Sequence, residues 1–375
     1  MTITVLNKIV GSFTLVLFLM LAPTHTLAAS PTALKAKKEA EAKGYMVFTT
    51  HDEIVAMAKK EGKLAISSGL EPANNEPLIA AFKRRYPFIT AIHVEESTLD
   101  NRQKFLLETR SGQAKGWDVT QIPLELGTEY MPHLMKHDIV GMAKNGVLKI
   151  DPRMVHSGER NMVGATSTIS VVAYNKRLIS EDKVPSRWED FLKPEFKGKK
   201  FIADLRPVQV AGLVPAWGLE RTLDFARKVG AQQPVWGRGA ARIATAVATG
   251  EYALYLDTNF SSVKRAMSKD PTGNLGYKIV EPVATWIGFH ASGILNTADH
   301  PHAALLWLEF LASPEGQEII DKYEPFKASV FTPGSAVARE VQGKELSLVG
   351  WDHFTKVQDY LEKIVGAFGF PKVDK

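Results

Sequence analysis

The stretch VVAYNKRLI, at residues 171–179, is followed by VPSRWEDFLKPEFKGK at residues 184–199. The first segment continues a β-branched run, residues 168–174, that is too apolar for a surface linker and predicts a buried strand. In the second segment, Ser186 and Glu189 have the spacing of a capping box, which predicts the start of a short helix. A buried strand followed by a capped helix is the unit from which α/β folds are built.

Strand and helix patterns alternate on both sides of this stretch. Before it, the predicted strands are 63–67, 90–94 and 117–120, and the predicted helices are 76–85, 99–109 and 126–137. After it, the predicted strands are 200–202, 251–256, 277–280 and 287–295, and the predicted helices are 211–229, 240–248 and a pair that begins at 300. This alternation predicts mainly parallel sheets covered by helices, with ligands at the carboxyl ends of the strands.

Composition excludes several classes of protein. The chain has 375 residues, 46 Lys and Arg against 41 Asp and Glu, a net charge of +5 and an apolar fraction of 45%. These values are typical of a globular protein with about two domains, and the small excess of positive charge gives no reason to expect nucleic acid as a partner. Because the chain has no cysteine, disulfide frameworks, thiolate zinc sites and cysteine nucleophiles are excluded.

The first 28 residues have the order of a secretory signal peptide. Lys8 precedes an apolar run, residues 9–22, and the small residues of Thr26-Leu27-Ala28 follow. The run is shorter than the roughly 20 residues that a bilayer span requires, so cleavage after Ala28 or Ala29 is favoured over a retained anchor. We therefore expect a periplasmic protein.

Residues 29–61 form a predicted N-terminal arm and helix. Residues 31–44 are rich in Ala, Lys and Glu and predict at most a marginal helix. Thr50 and Glu53 have capping-box spacing, and Gly62 is a helix stop, so a helix is predicted between them.

Hydrolytic and nucleotide-binding motifs are absent from the sequence. There is no Gly-x-Ser-x-Gly elbow, no His-Glu-x-x-His and no phosphate loop. The cluster Asp299-His300-Pro301-His302 is explained more simply as a helix cap than as a metal site. These observations favour a protein that is not an enzyme and has no cofactor, and a secreted enzyme on the same fold is the less favoured alternative.

Three segments resemble the bacterial extracellular solute-binding proteins of ABC importers, in the branch that handles ferric ion, phosphonates and thiamine. They are residues 171–199, the Gly-Glu turn with its strand in ATGEYAL at 248–254, and the helix pair PHAALLWLEFLASPEGQE at 301–318. The resemblance covers roughly residues 62–325. It implies a two-lobed α/β clamp of the type II periplasmic-binding class, with each lobe a mainly parallel sheet covered by helices and a two-strand hinge between them.

The resemblance also implies how the chain is divided. The crossings between lobes are expected near residues 167–172 and 284–292. Lobe 1 would hold 62–166 plus 293–325, and lobe 2 would hold 167–292 plus 326–375.

The ligand of such a clamp is a separate question. Ferric members of the family bind iron through paired tyrosines after the Gly-Glu turn, because phenolate oxygens are hard anionic donors. Alignment on the strand at 252–256 places Asn259 and Phe260 at those positions, and Phe260 has no ligating atom. Only Tyr255, Asp257 and Glu71 remain as nearby donors, so no metal site is predicted. A ferric-iron or iron-chelate receptor is the alternative.

Two arginines favour an organic anion such as a carboxylate or phosphonate. Arg206 follows the predicted strand 200–202, where its planar guanidinium could take an anionic group in two hydrogen bonds. Arg238 precedes the predicted helix 240–248, whose amino terminus also favours an anion. Either arginine could instead be an exposed ion-pair partner.

The remaining candidate ligand-binding residues lie at strand ends and crossings. They are Ser67, Ser68, Gly69, Glu71 and Gln121 in the first lobe, Ser167 and Thr168 at the first crossing, Asn259 in the second lobe, and Trp286 and His290 at the second crossing. Turn chemistry explains the serines and glycine about equally well, and packing between lobes is the alternative for Trp286. Together these expectations describe a monomeric receptor that passes a small solute to a membrane permease driven by a cytoplasmic ATPase.

Overall fold

The computed structural model describes residues 31–123, 126–288, 290–324 and 326–370. Within these ranges the strands are β1 Lys63–Ser68, β2 Ala91–Glu96, β3 Val119–Pro123, β4 Met162–Val163, β5 Ser167–Asn175, β6 Ile202–Asp204, β7 Val235–Gly237, β8 Leu254–Asn259, β9 Leu275–Lys278, β10 Val283–Ile287, β11 His290–Ile294 and β12 Leu346–Val349.

The helices of the described residues cover both sheets. They are α1 Pro31–Glu41, α2 His51–Glu61, α3 Pro72–Arg85, α4 Leu99–Arg110, α5 Gly127–Tyr130, α6 Ile139–Lys144, α7 Val208–Ala211, α8 Val214–Trp217, α9 Leu219–Ala231, α10 Ala240–Thr249, α11 Phe260–Ser268, α12 Pro301–Ala312, α13 Pro314–Tyr323, α14 Ala336–Glu340, α15 Trp351–Phe354 and α16 Val357–Phe368. None of them is long and apolar enough to cross a membrane. The predicted signal peptide lies outside the described residues.

Two separate sheets confirm the predicted two-lobed α/β clamp. The first sheet has the strand order β2-β1-β3-β11-β4, and the second has the order β12-β10-β5-β8-β6-β7, with β9 paired to β5. Both sheets are mixed. In the first sheet, β1 is parallel to β2 and β3, and β11 is antiparallel to its neighbours β3 and β4. In the second sheet, β6 is parallel to β7 and β8, and β5 is antiparallel to β8, β9 and β10.

Within the described residues the chain passes between the sheets three times, and two of these passages are at closely packed glycines, the third being between β11 and β12. Gly164 lies between β4 and β5, and Gly288 lies between β10 and β11. The first transition falls a few residues before the predicted crossing at 167–172, because all of β5 belongs to the second sheet, and the second lies within the predicted range 284–292. The assignment of every residue to one of two lobes stays a prediction.

The helix before the first strand has the predicted caps. The Thr50 hydroxyl accepts a hydrogen bond from the Glu53 backbone N–H, and the Gly62 backbone is left-handed at φ 66°. The second capping box was predicted with the wrong acidic residue. Asp190, not Glu189, accepts from the backbone N–H groups of Ser186 and Arg187, because the segment is a tight 3₁₀ turn.

Proline and glycine shorten two predicted helices. The predicted helix 211–229 is three pieces, α7, α8 and α9, with Pro215 in the first turn of α8 and Gly218 at φ 78° before α9. The predicted helix 126–137 is only α5 and a 3₁₀ turn that contains Pro132. The helix α11, directly after β8, was not predicted, and it is the one that borders the functional site.

Candidate functional site

The carboxyl ends of β6 and β8 open into the larger of two adjoining cavities. Its volume is about 490 Å³, and we call it the lobe-2 cavity. The loop from Asp204 to Gln209 and the β8 residues Tyr255, Asp257, Thr258 and Asn259 form one side, and α16 forms the other. Because parallel strands end at the same edge of a sheet, residues 50 positions apart in sequence meet here.

Two buried carboxyl groups line this cavity. Asp204 accepts hydrogen bonds from the Arg206 backbone N–H at 2.9 Å and from the Tyr255 hydroxyl at 3.3 Å. Burial raises the pKa of Asp257 well above its ordinary value, and the negative charge of Asp204 adds to the effect. Burial likewise raises the pKa of Tyr255, with further contributions from the charges of Asp257 and Asp204. The Tyr255 hydroxyl is therefore protonated at neutral pH.

Arg206 lies on the exposed rim of the lobe-2 cavity. Within the described part of the chain it has no ion-pair partner, so its guanidinium is available to a solute. The amino terminus of α10 also borders the cavity through Ala240. Both features favour a negatively charged group at this rim.

The smaller cavity lies between the two sheets. Its volume is about 210 Å³, and we call it the cleft cavity. It is lined by Glu71 and His290 from the first sheet's side, by Thr166, Ser167 and Thr168 at the crossing, by Ser261, Ser262 and Arg265 of α11, and by Lys327. Asn259 lines both cavities and so marks where they adjoin.

An ion pair joins the two sides of the cleft cavity. The Arg265 guanidinium is 3.0 Å from the Glu71 carboxylate. Glu71 directly precedes α3, and Arg265 lies on α11, so the contact links helices that cover different sheets. Both side chains are partly exposed, and such pairs contribute little to stability. The pair can therefore rearrange when a charged solute enters.

Some polar groups around the cleft cavity have hydrogen-bond partners and others have none within the described residues. The hydroxyls of Thr166 and Thr168 are buried and have no hydrogen-bond partner among the described residues. The Asn259 side-chain oxygen, in contrast, caps α11 by accepting from the Ser262 backbone N–H at 2.8 Å. Asn259 therefore has a structural role in addition to its place on the cavity wall.

The predicted first-lobe residues form a packed floor with little free space. The void lined by Ser67, Ser68, Gly69 and Gln121 has a volume of only about 20 Å³. Ser68 donates to Asn75 at 2.8 Å, and the Gln121 amide nitrogen is 3.1 Å from the His290 ring. A Cβ atom at Gly69 would lie 2.6 Å from the Gln121 side chain, so this glycine permits the close packing.

Besides these four residues, two more predicted site residues are not brought to either cavity. Trp286 is 1% exposed and packs inside the second lobe against Gly212, because β10 is an interior strand of its sheet. Arg238 is exposed beyond the end of β7, which is the edge strand, so it lines neither the lobe-2 cavity nor the cleft cavity.

Other residues at the site escaped the sequence analysis. They include Asp204, Gln209, Thr258, Ser261, Ser262, Arg265, Lys327 and the α16 residues Val357, Gln358, Leu361, Glu362 and Val365. The spacing of Asn259 and Ser262 is an N-cap signal that could have revealed α11. No local signal places α16 or Lys327 near β8.

Phe260 takes the place of a possible phenolate ligand and is part of the core. It is fully buried and packs edge-to-face on Tyr277 and Phe326. No group of three or more His, Asp or Glu side chains suited to a metal ion occurs among the described residues.

The chain was compared with known proteins. A model of the bacterial extracellular solute-binding protein family matches residues 126–357, more than half of the chain. No curated protein matches it by sequence.

Solved structures share the fold. Ferric iron-binding protein A of Mannheimia haemolytica, in an open conformation, has a TM-score of 0.65 at 17% identity, covering 82% of this chain and 99% of that one. Trichodesmium IdiA (FutA) in complex with iron and citrate has a TM-score of 0.62 at 17% identity, covering 82% and 100%. A protein described as the Atu4243-GABA receptor has a TM-score of 0.59 at 15% identity, covering 84% and 99%.

The family match covers the second sheet and the strands β4 and β11 of the first, from α5 to the start of α16. The similar solved structures cover 82–84% of the chain. The structure has two sheets with a cavity between them, which is the two-lobed architecture expected of this family. The chain therefore belongs to the bacterial extracellular solute-binding proteins, the family that includes substrate-binding proteins of ABC transporters.

Proposed function

We propose that this protein captures a small organic anion, such as a carboxylate or a phosphonate, and delivers it to the permease of an ABC importer. The observation that carries the proposal is Arg206, an arginine without an ion-pair partner in the described residues, on the rim of the 490 Å³ cavity. Binding there needs no chemical conversion, and the permease would draw its energy from a cytoplasmic ATPase. The predicted signal peptide supports a periplasmic location.

Two features of the site support an anionic solute. The amino termini of α10 and α11 both lie at this edge of the second sheet, where the helix dipoles and the N–H groups of α10, which has no side-chain cap, favour negative charge. The cleft cavity adds Lys327, which is ion-paired with Glu324, and Arg265, which is ion-paired with Glu71. It also adds the buried hydroxyls of Thr166 and Thr168 as hydrogen-bonding groups. Contacts from both lobes to one solute would favour lobe closure.

A thermal-shift panel of carboxylates and phosphonates tests this proposal. A solute present at 100 times its Kd stabilises the folded protein by about 2.7 kcal/mol, which raises Tm by several degrees. We expect one chemical class of anion to produce this rise, with the solute recovered unchanged. Conversion of the solute during incubation would instead support the enzyme alternative.

An iron receptor is the second candidate, because two of the similar structures are iron-binding proteins. We expect ferric ion added to this protein to produce no phenolate-to-iron absorption band. The reason is that Phe260 is a core residue and burial keeps the Tyr255 hydroxyl protonated. Visible absorption spectroscopy checks this, with ferric citrate as a second titrant. A band that disappears in Tyr255→Phe would replace the organic-anion proposal with iron uptake.

A further inference from the structure

The lobe-2 cavity carries opposite charges at different depths. Arg206 is exposed at the rim, whereas Asp204 and Asp257 are 7% and 3% exposed. Glu362 of α16 adds a third carboxyl group on the opposite wall. A solute that carried only a negative charge would meet Arg206 favourably but would then face these carboxyl groups.

The two deep carboxyl groups accept hydrogen bonds but have no cationic partner among the described residues. The Asp204 carboxyl group accepts hydrogen bonds from the Arg206 backbone N–H and the Tyr255 hydroxyl. The Asp257 carboxyl group accepts one from the Val210 backbone N–H. Among the residues that the structure describes, no lysine, arginine or histidine lines the cavity near them apart from Arg206 at the rim. Two buried carboxyl groups close together cannot both ionise cheaply unless a cation joins them.

A buried hydroxyl gives a second and independent indication of a polar ligand. Thr258 stands between Asp257 and Asn259 on the cavity wall, and its buried hydroxyl faces the Tyr255 phenol but makes no hydrogen bond of good geometry within the described residues. Buried polar groups are normally satisfied, so a bound group that hydrogen-bonds here would remove a penalty.

We propose that the solute is a zwitterion whose ammonium group binds Asp204 and Asp257 while its carboxylate or phosphonate group binds Arg206. This inference rests on the proposed function and specifies the class of solute. Arg206 is only two residues beyond Asp204, so the backbone positions are at most about 7 Å apart. This closeness favours a solute whose two charged groups are joined by a short aliphatic chain. Leu361 and Val365 of α16 give its methylene groups an apolar wall.

Three solutes with the same carbon chain test the inference by calorimetric titration: 5-aminopentanoate, pentanoate and pentylamine, each with its shorter homologues. We expect an aminoalkanoate to bind at least about tenfold more tightly than the matching alkanoate. In Asp257→Asn this preference should disappear, because the amide has no negative charge for the ammonium group. The control Asp224→Asn, an exposed acid on α9 of the same lobe, should retain it.

The possible outcomes separate this inference from the proposed function. Alkanoates that bind as well as aminoalkanoates, or a preference that survives in Asp257→Asn, would overturn the zwitterion and leave the anion receptor standing. Alkylamines that bind as well as aminoalkanoates would overturn the anion contact instead. Binding of none of the series at millimolar concentration would count against both. Thermal unfolding verifies that Asp257→Asn folds, which we expect because the amide oxygen can still accept from Val210.

Discussion

Arg206→Ala is expected to weaken solute binding by more than about thirtyfold, because removing one member of a desolvated charge pair typically costs about 2–5 kcal/mol. Arg206→Lys should recover only part of the loss, since an ammonium group cannot reproduce the two parallel hydrogen bonds of a guanidinium. Calorimetric titration of both variants with the solute found in the thermal-shift panel measures the effect. The apo protein should keep its Tm, because Arg206 is exposed and has no ion-pair partner in the described residues.

Arg238 supplies the comparison that could contradict this expectation. It lies at the same sheet edge, beyond β7, and is exposed like Arg206, but it lines neither cavity. We therefore expect Arg238→Ala to bind the solute normally. Unchanged affinity in Arg206→Ala together with a loss in Arg238→Ala would move the anion contact to the amino terminus of α10.

Gly164→Ala is expected to destabilise the protein by about 1–3 kcal/mol, the usual cost of overpacking a closely packed site. A Cβ atom at Gly164 would lie 2.5 Å from the Gly288 Cα atom and 2.9 Å from its backbone nitrogen, and the Trp351 ring is 3.0 Å away. Backbone on one crossing cannot move aside without moving the other crossing. Urea unfolding measures the loss.

Gly366→Ala is the matched control for this substitution. Gly366 lies within α16, and a Cβ atom there would meet nothing within 4 Å. Alanine is favoured over glycine in a helix by roughly 0.5–1 kcal/mol, so this variant should be slightly more stable than the wild type. If Gly164→Ala were as stable as Gly366→Ala, the two crossings would not be tightly packed, and the close approach of Gly164 to Gly288 would have no energetic meaning.

Local signals in the sequence predicted those features that depend on neighbours along the chain. The cap formed by Thr50 and Glu53 and the left-handed Gly62 ended α2 where expected, because these interactions span only one helical turn. The apolar run at 168–174 became β5, which is buried along its whole length. The prediction of one helix over 211–229 was wrong, because it overlooked the helix-ending signals of Pro215 and Gly218, which divide that segment.

Some residues of the candidate site could likewise be predicted from the sequence, and others could not. Arg206 could be placed at a strand end from sequence alone, because the alternation of strands and helices predicts which loops lie at the carboxyl edge of a sheet. Trp286 could not be distinguished from a ligand contact, since its burial depends on Gly212, which is distant in sequence. Similarly, the wall that α16 adds to the lobe-2 cavity depends on packing of α16 against α9 and α7.

The sequence by itself determined the class of this protein: an α/β clamp with family segments at 171–199, 248–254 and 301–318, no cysteine chemistry and no phenolate pair at Asn259 and Phe260. Only the tertiary structure decided the charge pattern of its cavity. Asp204 and Asp257 are 53 residues apart along the chain and meet because β6 and β8 are parallel neighbours in the second sheet. Their burial arises from contacts that no local pattern encodes.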